Sequence, residues 1–231
     1  KKCRMDSMKV HPIADLYSDY LLASFGATTA TGLSQLLEGE VSHDQVTRYL
    51  AGTQKTATDL WQTVKPLVRE IQSAAGVLII DDSIEEKPYT DENDIICWQY
   101  DHSKDRMLKG INFLTALYRS QGVNVPVSFH LVAKTEKYVD PKTQKEKRRS
   151  PVSKNDVCQD LIKQAVTNRI PFRFVLFDVW FASADTMVFI KQQQKRDFIC
   201  PLKTNRKVAL SAVDKQQGRY VRVDTLDFEA Q

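Results

Sequence analysis

The chain has no long apolar segment. None of its hydrophobic runs approaches the roughly 20 residues that a membrane-spanning helix needs, and residues 1–6 lack the hydrophobic stretch of a signal peptide. With 42% hydrophobic and 27% charged residues, the composition is that of an ordinary globular protein. We therefore expect a cytoplasmic protein that has no membrane partner.

Cysteine and histidine are also scarce, and they are dispersed along the chain. The cysteines are Cys3, Cys97, Cys158 and Cys200, and the histidines are His11, His43, His102 and His130. No two cysteines form a CxxC pair, and no histidine stands at ligand spacing. This spacing argues against a zinc site and against a disulfide framework, and we expect buried thiols.

Positive charge is concentrated in two segments. Residues 134–154 carry eight basic and three acidic side chains, and residues 191–207 carry six basic and one acidic. Because the net charge of the whole chain is only +4, the rest of the chain is acidic. This distribution favours a polyanionic partner held against a defined face, although two solvated loops would give the same distribution. The run Lys147, Arg148 and Arg149 is the best candidate for phosphate contact.

The first third of the chain has the apolar spacing of helices, which predicts an all-helical region over residues 1–75. A short helix over residues 31–37, a tight turn over residues 38–40, and a second helix from Ser42 to Gly52 are typical of a helix-turn-helix over residues 31–52. Plain helix packing gives the same pattern. If the segment is a helix-turn-helix, its second helix would present Arg48 and its polar neighbours to DNA.

A third helix is predicted over residues 56–73. Its apolar side chains Leu60, Val64, Leu67, Val68 and Ile71 would face the core. Pro66 lies within this helix and predicts a kink or a division into two helices.

Strand patterns begin after Gly76. Strands are predicted over residues 77–81, 95–100, 111–118, 125–133, 172–177, 198–202 and 220–228, and helices over residues 156–168 and 182–194. Residues 83–94 and 141–151 are predicted to be loops. A run of strands followed by strand-helix units predicts an α/β fold with a mixed sheet. The first three strands would be antiparallel and the later strands parallel, covered by helices.

Two of the predicted strands end in an aspartate. Asp81 follows one buried strand and Asp178 follows another, and ligands gather beyond the carboxyl ends of parallel strands. If the strands are neighbours, the two carboxylates repel each other unless a divalent cation lies between them, and oxygen ligands favour Mg²⁺ or Mn²⁺. Alternatively, each aspartate caps the turn after its strand. Strand alternation leaves open whether Asp81 or Asp82 is the ligand.

Several short motifs lie between residues 77 and 207. They are Ile80-Asp81-Asp82-Ser83 with Lys87, His102-Ser103, Lys109-Gly110-Ile111-Asn112, Phe177-Asp178-Val179-Trp180-Phe181-Ala182-Ser183, and residues 198–207. Together they resemble the DDE transposases of bacterial insertion sequences, and the block around Asp178 is the most specific part.

The resemblance implies a ribonuclease H-like catalytic core over residues 76–231, preceded by a DNA-binding region. Asp81 and Asp178 would be catalytic and would bind two Mg²⁺ ions, or Mn²⁺, that activate water and then a DNA 3′-hydroxyl. The resemblance also implies double-stranded DNA as partner, both transposon ends and target, a homodimer on that DNA, and a bacterial nucleoid-associated location. Further DNA contacts implied in the same way are Lys203, Asn205, Arg206 and Lys207.

The resemblance requires a third acid on a later helix. Glu229 is the only glutamate after Asp178, but it follows a strand-like stretch and no recognisable helix. We therefore expect the third acid beyond Gln231, after a β-rich insertion that residues 220–228 would begin. On this interpretation the chain is a C-terminally truncated transposase that is inactive alone. Two other functions stay open: a catalytically inactive DNA-binding protein derived from a transposase, and a ribonuclease H-like nuclease without strand transfer.

Overall fold

The chain forms two compact units, one up to Thr56 and one from Ala57 onward. A computed structural model describes residues 12–52 and 55–227, so Cys3, His11 and Glu229 lie outside the described residues. We predicted the division after residue 75, and the structure has it at Thr56 because the fourth helix buries one face in the core of the second unit. No helix in the described residues is long and apolar enough to cross a membrane.

The described residues of the first unit form the helices α1 (Pro12–Ala23), α2 (Ala30–Leu36) and α3 (His43–Gly52). Glu38 and Gly39 have positive φ angles of 51° and 85°, which produces the sharp turn after α2. Ser42 then caps α3: its hydroxyl accepts from the Gln45 N–H at 3.3 Å, and its own N–H donates to the Gln45 side chain at 2.8 Å. This reciprocal capping fixes the start of α3.

The second unit begins with α4 (Ala57–Ile71), which is continuous through Pro66. The predicted division into two helices at Pro66 is therefore wrong: Pro66 lies on the exposed face, where water can bind the carbonyl that proline leaves unpaired. The buried face consists of Trp61, Val68 and Ile71, whereas Leu67, which we placed in the core, is 43% exposed.

A six-stranded mixed sheet lies at the centre of this unit. Its strands are β1 (Val77–Glu86), β2 (Ile96–Asp101), β3 (Arg106–Ser120), β4 (Val123–Leu131), β7 (Phe174–Phe177) and β8 (Asp197–Ile199). The order is β2-β3-β1-β7-β8, and β4 also pairs with β3. β1 to β4 pair antiparallel, whereas β1, β7 and β8 are parallel. The predicted mixed sheet, with antiparallel strands first and parallel strands later, is confirmed.

β1 is longer than the predicted strand, and it does not end at the aspartates. Ser83 to Glu86 continue the strand by pairing antiparallel with Phe113 to Gly110 of β3. The loop predicted from residue 83 therefore starts only after Glu86. The parallel pairing of β1 with β7 does stop at Ile80, immediately before Asp81.

The later segments add short elements around the sheet. They are the hairpin β5 (Glu136–Val139) and β6 (Glu146–Arg149), α5 (Lys154–Thr167), a 3-10 turn (Val179–Phe181), α6 (Ala184–Val188), a π-helical turn (Phe189–Gln193), β9 (Lys207–Val208), α7 (Ala212–Gln216), β10 (Val221–Arg222) and a 3-10 turn (Val223–Thr225). The hairpin occupies part of the predicted loop 141–151. Of the strand predicted over residues 220–228, only Val221 and Arg222 are in a strand in the described part, and Phe228 lies outside it.

The core lies between the sheet and helices α4 and α5. Leu78, Ile80, Leu114 and Val175 of the sheet pack in one cluster with the buried faces of these helices. Cys97 and Cys158 are buried, as expected, and burial raises the pKa of the Cys158 thiol to about 12. Cys200 is only partly buried.

Candidate active site

The register of two neighbouring strands brings Asp81 and Asp178 side by side. Ile80 of β1 pairs with Phe177 of β7 in the last parallel pair, and the two aspartates are the next residues on each strand. Because adjacent strands lie about 4.8 Å apart, the carboxylates leave the sheet at neighbouring points. Asp81 and Asp178 therefore lie next to each other at the point where the parallel pairing of β1 and β7 ends.

The environment of Asp81 disfavours its charged form. Burial raises the pKa of the Asp81 carboxyl above its ordinary value, and the negative charges of Asp82 and Asp178 raise it further. A hydrogen bond of 2.8 Å from the Asp82 N–H to Asp81 Oδ1 acts in the opposite direction. A cation bound here would remove part of this repulsion.

Asp178 also caps the turn that follows its strand. The Val179 N–H donates to Asp178 Oδ1 at 2.5 Å and starts the 3-10 turn. Capping therefore occurs as the alternative interpretation proposed, but it uses one oxygen and leaves the other for a further ligand. Asp81 caps no turn, because β1 continues beyond it. Across residues 12–52 and 55–227, neither carboxylate forms an ion pair with a basic side chain.

Asp82 has different partners from Asp81. Its Oδ2 forms an ion pair with Lys154 Nζ, from the first turn of α5, and accepts a hydrogen bond of 3.3 Å from Asn112 Nδ2 on β3. Asn112 is completely buried, and the Asp82 side chain is only 22% exposed. The structure thus separates the two adjacent aspartates by their surroundings: Asp81 lies beside Asp178, and Asp82 lies beside a lysine.

A cleft of about 710 Å³ opens above these carboxylates, and one of its walls is aromatic. The Trp180 ring, just after Asp178, stacks on His102 with ring centroids 4.3 Å apart. Tyr100 contacts His102 edge-on at 4.8 Å, and Lys203 Nζ lies 4.6 Å from the centre of the Trp180 ring. An acidic floor beside aromatic and basic walls is suited to a phosphate backbone with attached bases.

The basic run on the β5–β6 hairpin is already paired within the protein. Lys147 contacts Asp140, Arg148 contacts Asp94, and Arg149 Nε lies 2.9 Å from Glu136. The hydrogen bond from Lys147 lowers the pKa of Asp140 to about 2. Any phosphate contact by this run would have to replace a carboxylate partner.

The other predicted DNA contacts lie on exposed surface. Arg48 is exposed on α3, where its Nε donates to the Asp44 carbonyl at 3.3 Å. Arg206 donates to the Ala182 carbonyl at 2.7 Å, close in sequence to Trp180. Lys203 lies over the ring of Trp180, which lines the cleft, and all four predicted residues from Lys203 to Lys207 are exposed.

The pair of aspartates fits part of a magnesium or manganese site. Both ligands are carboxylate oxygens, which these hard cations prefer, and the pair carries uncompensated negative charge. Within the described residues, however, no group of three or more histidine, cysteine, aspartate or glutamate side chains is arranged to hold a metal. Magnesium is commonly held by one or two carboxylates together with waters and substrate phosphates, so the pair can still contribute to such a site.

Sequence reasoning did not identify Lys154 and Asn112 as site residues. Lys154 follows Ser153, which caps α5, so the sequence marks it only as the start of a helix. Asn112 belongs to the motif Lys109-Gly110-Ile111-Asn112, and its contact with Asp82 depends on the pairing of β3 with β1. An asparagine between the apolar residues Ile111 and Phe113 was the available signal.

The sequence matches one family of endonucleases. The sequence profile described as "DDE superfamily endonuclease" matches residues 6–222. No curated protein matches. Among solved structures, the Drosophila P element transposase strand transfer complex has a TM-score of 0.39 at 12% identity, covering 85% of this chain and 42% of that one. The Mos1 mariner paired end complex with Mn has a TM-score of 0.26 at 13% identity, covering 81% of this chain and 58% of that one.

Proposed function

Because this chain belongs to the DDE superfamily of endonucleases, we propose that it carries most of the catalytic core of a DNA transposase. In this proposal Asp81 and Asp178 bind divalent cations, Mg²⁺ or Mn²⁺, and the protein cleaves transposon ends and joins their 3′-hydroxyls to target DNA. The observation that carries the proposal is the placement of Asp81 beside Asp178 at the base of a cleft. The proposal leaves the third acid unassigned, because no group of three metal-binding side chains occurs among the described residues.

The residues of the cleft would have different roles in this reaction. When bound, the cations activate a water or hydroxyl nucleophile and stabilise the charge on the phosphodiester. The two aspartates hold these ions between neighbouring strands, so their spacing is fixed by the sheet. Because the pKa of Asp81 is raised, its ionised form, which a cation needs, becomes more populated as the pH increases. Lys203 would hold a phosphate beside Trp180.

DNA contact by Lys203 can be tested through the salt dependence of binding. Lys203→Met is expected to reduce the slope of log K against log salt by about one, because each neutralised phosphate contributes about 0.9. Lys147→Met is expected to change the slope by less, since Lys147 already binds Asp140. Arg48→Met tests separately whether the helical unit contributes to the salt dependence of DNA binding. Fluorescence anisotropy on labelled transposon-end DNA between 50 and 200 mM salt, about the range over which such slopes are resolved, measures all three.

The matched control is Lys163→Met, because Lys163 also pairs with a carboxylate, Asp160, and is exposed. It should leave the slope unchanged. An unchanged slope for Lys203→Met would show that the cleft wall does not touch the DNA backbone.

Strand transfer separates the proposed function from hydrolysis alone. The complete gene product, incubated with end DNA, a plasmid target and Mg²⁺, is expected to give joined end-target products as well as cleaved ends. Both should disappear on adding EDTA, because the chemistry needs a divalent cation. Cleavage without joined products would indicate a nuclease that only hydrolyses.

A DNA-binding protein without catalysis is the second candidate. It is favoured by one observation, namely that the described residues hold only two of the three acids that the site needs. Salt-dependent DNA binding without cleavage by the complete gene product would support this candidate.

A further inference from the structure

The ion pair between Asp82 and Lys154 lies on the same cleft as the Asp81 and Asp178 carboxylates. Lys154 comes from α5, a helix of 14 residues that packs against the sheet through Val157, Cys158 and Leu161. The pair therefore joins a rigid helix to the middle of β1. Its two members come from segments 72 residues apart in the chain.

The position of Lys154 is unfavourable on local grounds. It is the first residue of α5, where the helix dipole disfavours positive charge, and Ser153 has already capped the helix by accepting from the Asp156 N–H at 3.1 Å. A lysine contributes nothing to this helix start. The contact with Asp82 explains why a positively charged side chain occupies this position.

Asp82 is held from a second side by Asn112. The buried amide of Asn112 donates to the oxygen that Lys154 contacts, while the Asn112 Oδ1 atom has no hydrogen-bond partner among the described residues. The amide is thus oriented toward Asp82 without a balancing bond at its other end. Both neighbours hold the Asp82 carboxylate in place.

We propose that Lys154 is a positioning residue of the cation site. By binding Asp82 it offsets part of the negative charge of the group Asp81, Asp82 and Asp178, and it keeps Asp82 from acting as a competing ligand. This inference rests on the proposed function, because it assumes that Asp81 and Asp178 bind a divalent cation. It adds to that function by identifying Lys154 as a residue that controls the affinity of the site for the cation.

Coulomb's law gives the direction expected for each substitution. Toward a nearby cation, the intact Asp82–Lys154 pair has no net charge. Lys154→Met leaves Asp82 negative and attracts the cation, whereas Asp82→Asn leaves Lys154 positive and repels it. The double variant removes both charges, so its affinity should return to that of the unmodified protein.

Manganese affinity provides the test. Electron paramagnetic resonance of free Mn²⁺ at pH 7 and fixed ionic strength measures binding to the chain without requiring any cleavage. Lys154→Met is expected to tighten binding by about 3- to 10-fold, Asp82→Asn to weaken it by a similar factor, and the double variant to lie within about twofold of the unmodified chain. Lys154→Arg, which keeps the charge, is expected to behave like the unmodified chain.

Control variants separate the possible failures. Lys163→Met removes an exposed, paired lysine from the same helix and should leave Mn²⁺ affinity unchanged. If Lys154→Met and Asp82→Asn both weaken binding and lower Tm alike, the pair is structural only and the inference is overturned. It is also overturned if neither variant changes the affinity. If Asp178→Asn does not reduce Mn²⁺ binding, the ion lies elsewhere, and the proposed site fails as well.

Discussion

Replacing Asp178 by asparagine is expected to abolish metal-dependent cleavage of transposon-end DNA by the complete gene product. Asparagine keeps the size of the side chain, and its Oδ1 can still accept the Val179 N–H that starts the 3-10 turn. The change therefore removes the negative charge beside Asp81 while retaining the cap. The loss should exceed the roughly 10- to 100-fold that substitutions of outer-shell residues cost at metal sites, because Asp178 would contact the ion directly. Initial rates on labelled end DNA in Mg²⁺ measure it.

Asp185→Asn is the matched control for this experiment. Asp185 is an exposed aspartate in the first turn of α6, seven residues after Asp178, and it does not line the cleft. Its variant should cleave at the unmodified rate. Thermal unfolding of both variants verifies that the fold is intact. An Asp178→Asn protein that cleaves within about twofold of the unmodified rate would contradict the assignment of Asp178 to the metal site.

The sequence predicted the sheet well where the signal was local. Four apolar residues from Val77 to Ile80 indicated a buried strand, and the apolar run before Asp178 indicated a second. Parallel pairing of these two strands then brings Asp81 and Asp178 together. That both aspartates come directly after a buried apolar run was visible in the sequence, whereas their shared register was visible only in the structure.

The parts that could not be predicted depend on distant pairing. The polar residues after Asp82 indicate a loop when considered alone, yet they form a strand because β3 supplies backbone partners as far as Glu86. Residues 136–149 form a hairpin although almost all their side chains are polar, and ion pairs such as Lys137 with Glu146 accompany it across the two strands. Periodicity of apolar residues contains no information about either pairing.

Two errors at the level of single residues have the same cause. The buried face of α4 uses Trp61 and excludes Leu67, because the sheet selects which of two overlapping apolar stripes faces it. Lys154 was counted only as one charge in a basic segment, and its contact with Asp82 depends on how α5 packs on the sheet. Charge counted along the chain therefore overstated the free positive charge of residues 134–154.

Asparagine substitutions of the two adjacent aspartates are expected to have unequal effects on cleavage. Asp81→Asn should lower the rate by more than about 100-fold, because it removes the carboxylate beside Asp178. Asp82→Asn should cost about tenfold or less, since Asp82 is paired with Lys154 and would not contact the ion. The reverse order would make Asp82 the ligand and would contradict the choice made from the strand register. The same cleavage assay in Mg²⁺ measures both.

Thermal unfolding in the absence of metal tests independently whether the Asp81 carboxylate destabilises the folded protein. Burial and the neighbouring charges raise the folded-state pKa of Asp81, so the stability that this group contributes is present below its unfolded pKa and is lost as the pH rises through the folded value. At neutral pH the ionised Asp81 is therefore a small cost, because the exposed side chain is screened by solvent, and Asp81→Asn should raise Tm by about a degree at most while abolishing cleavage. Below pH of about 3.5 the carboxyl is protonated in both states and the gain should disappear. A fall in Tm for Asp81→Asn at pH 7 would show that the carboxylate is stabilised by a partner in the fold and is not held ready for a cation.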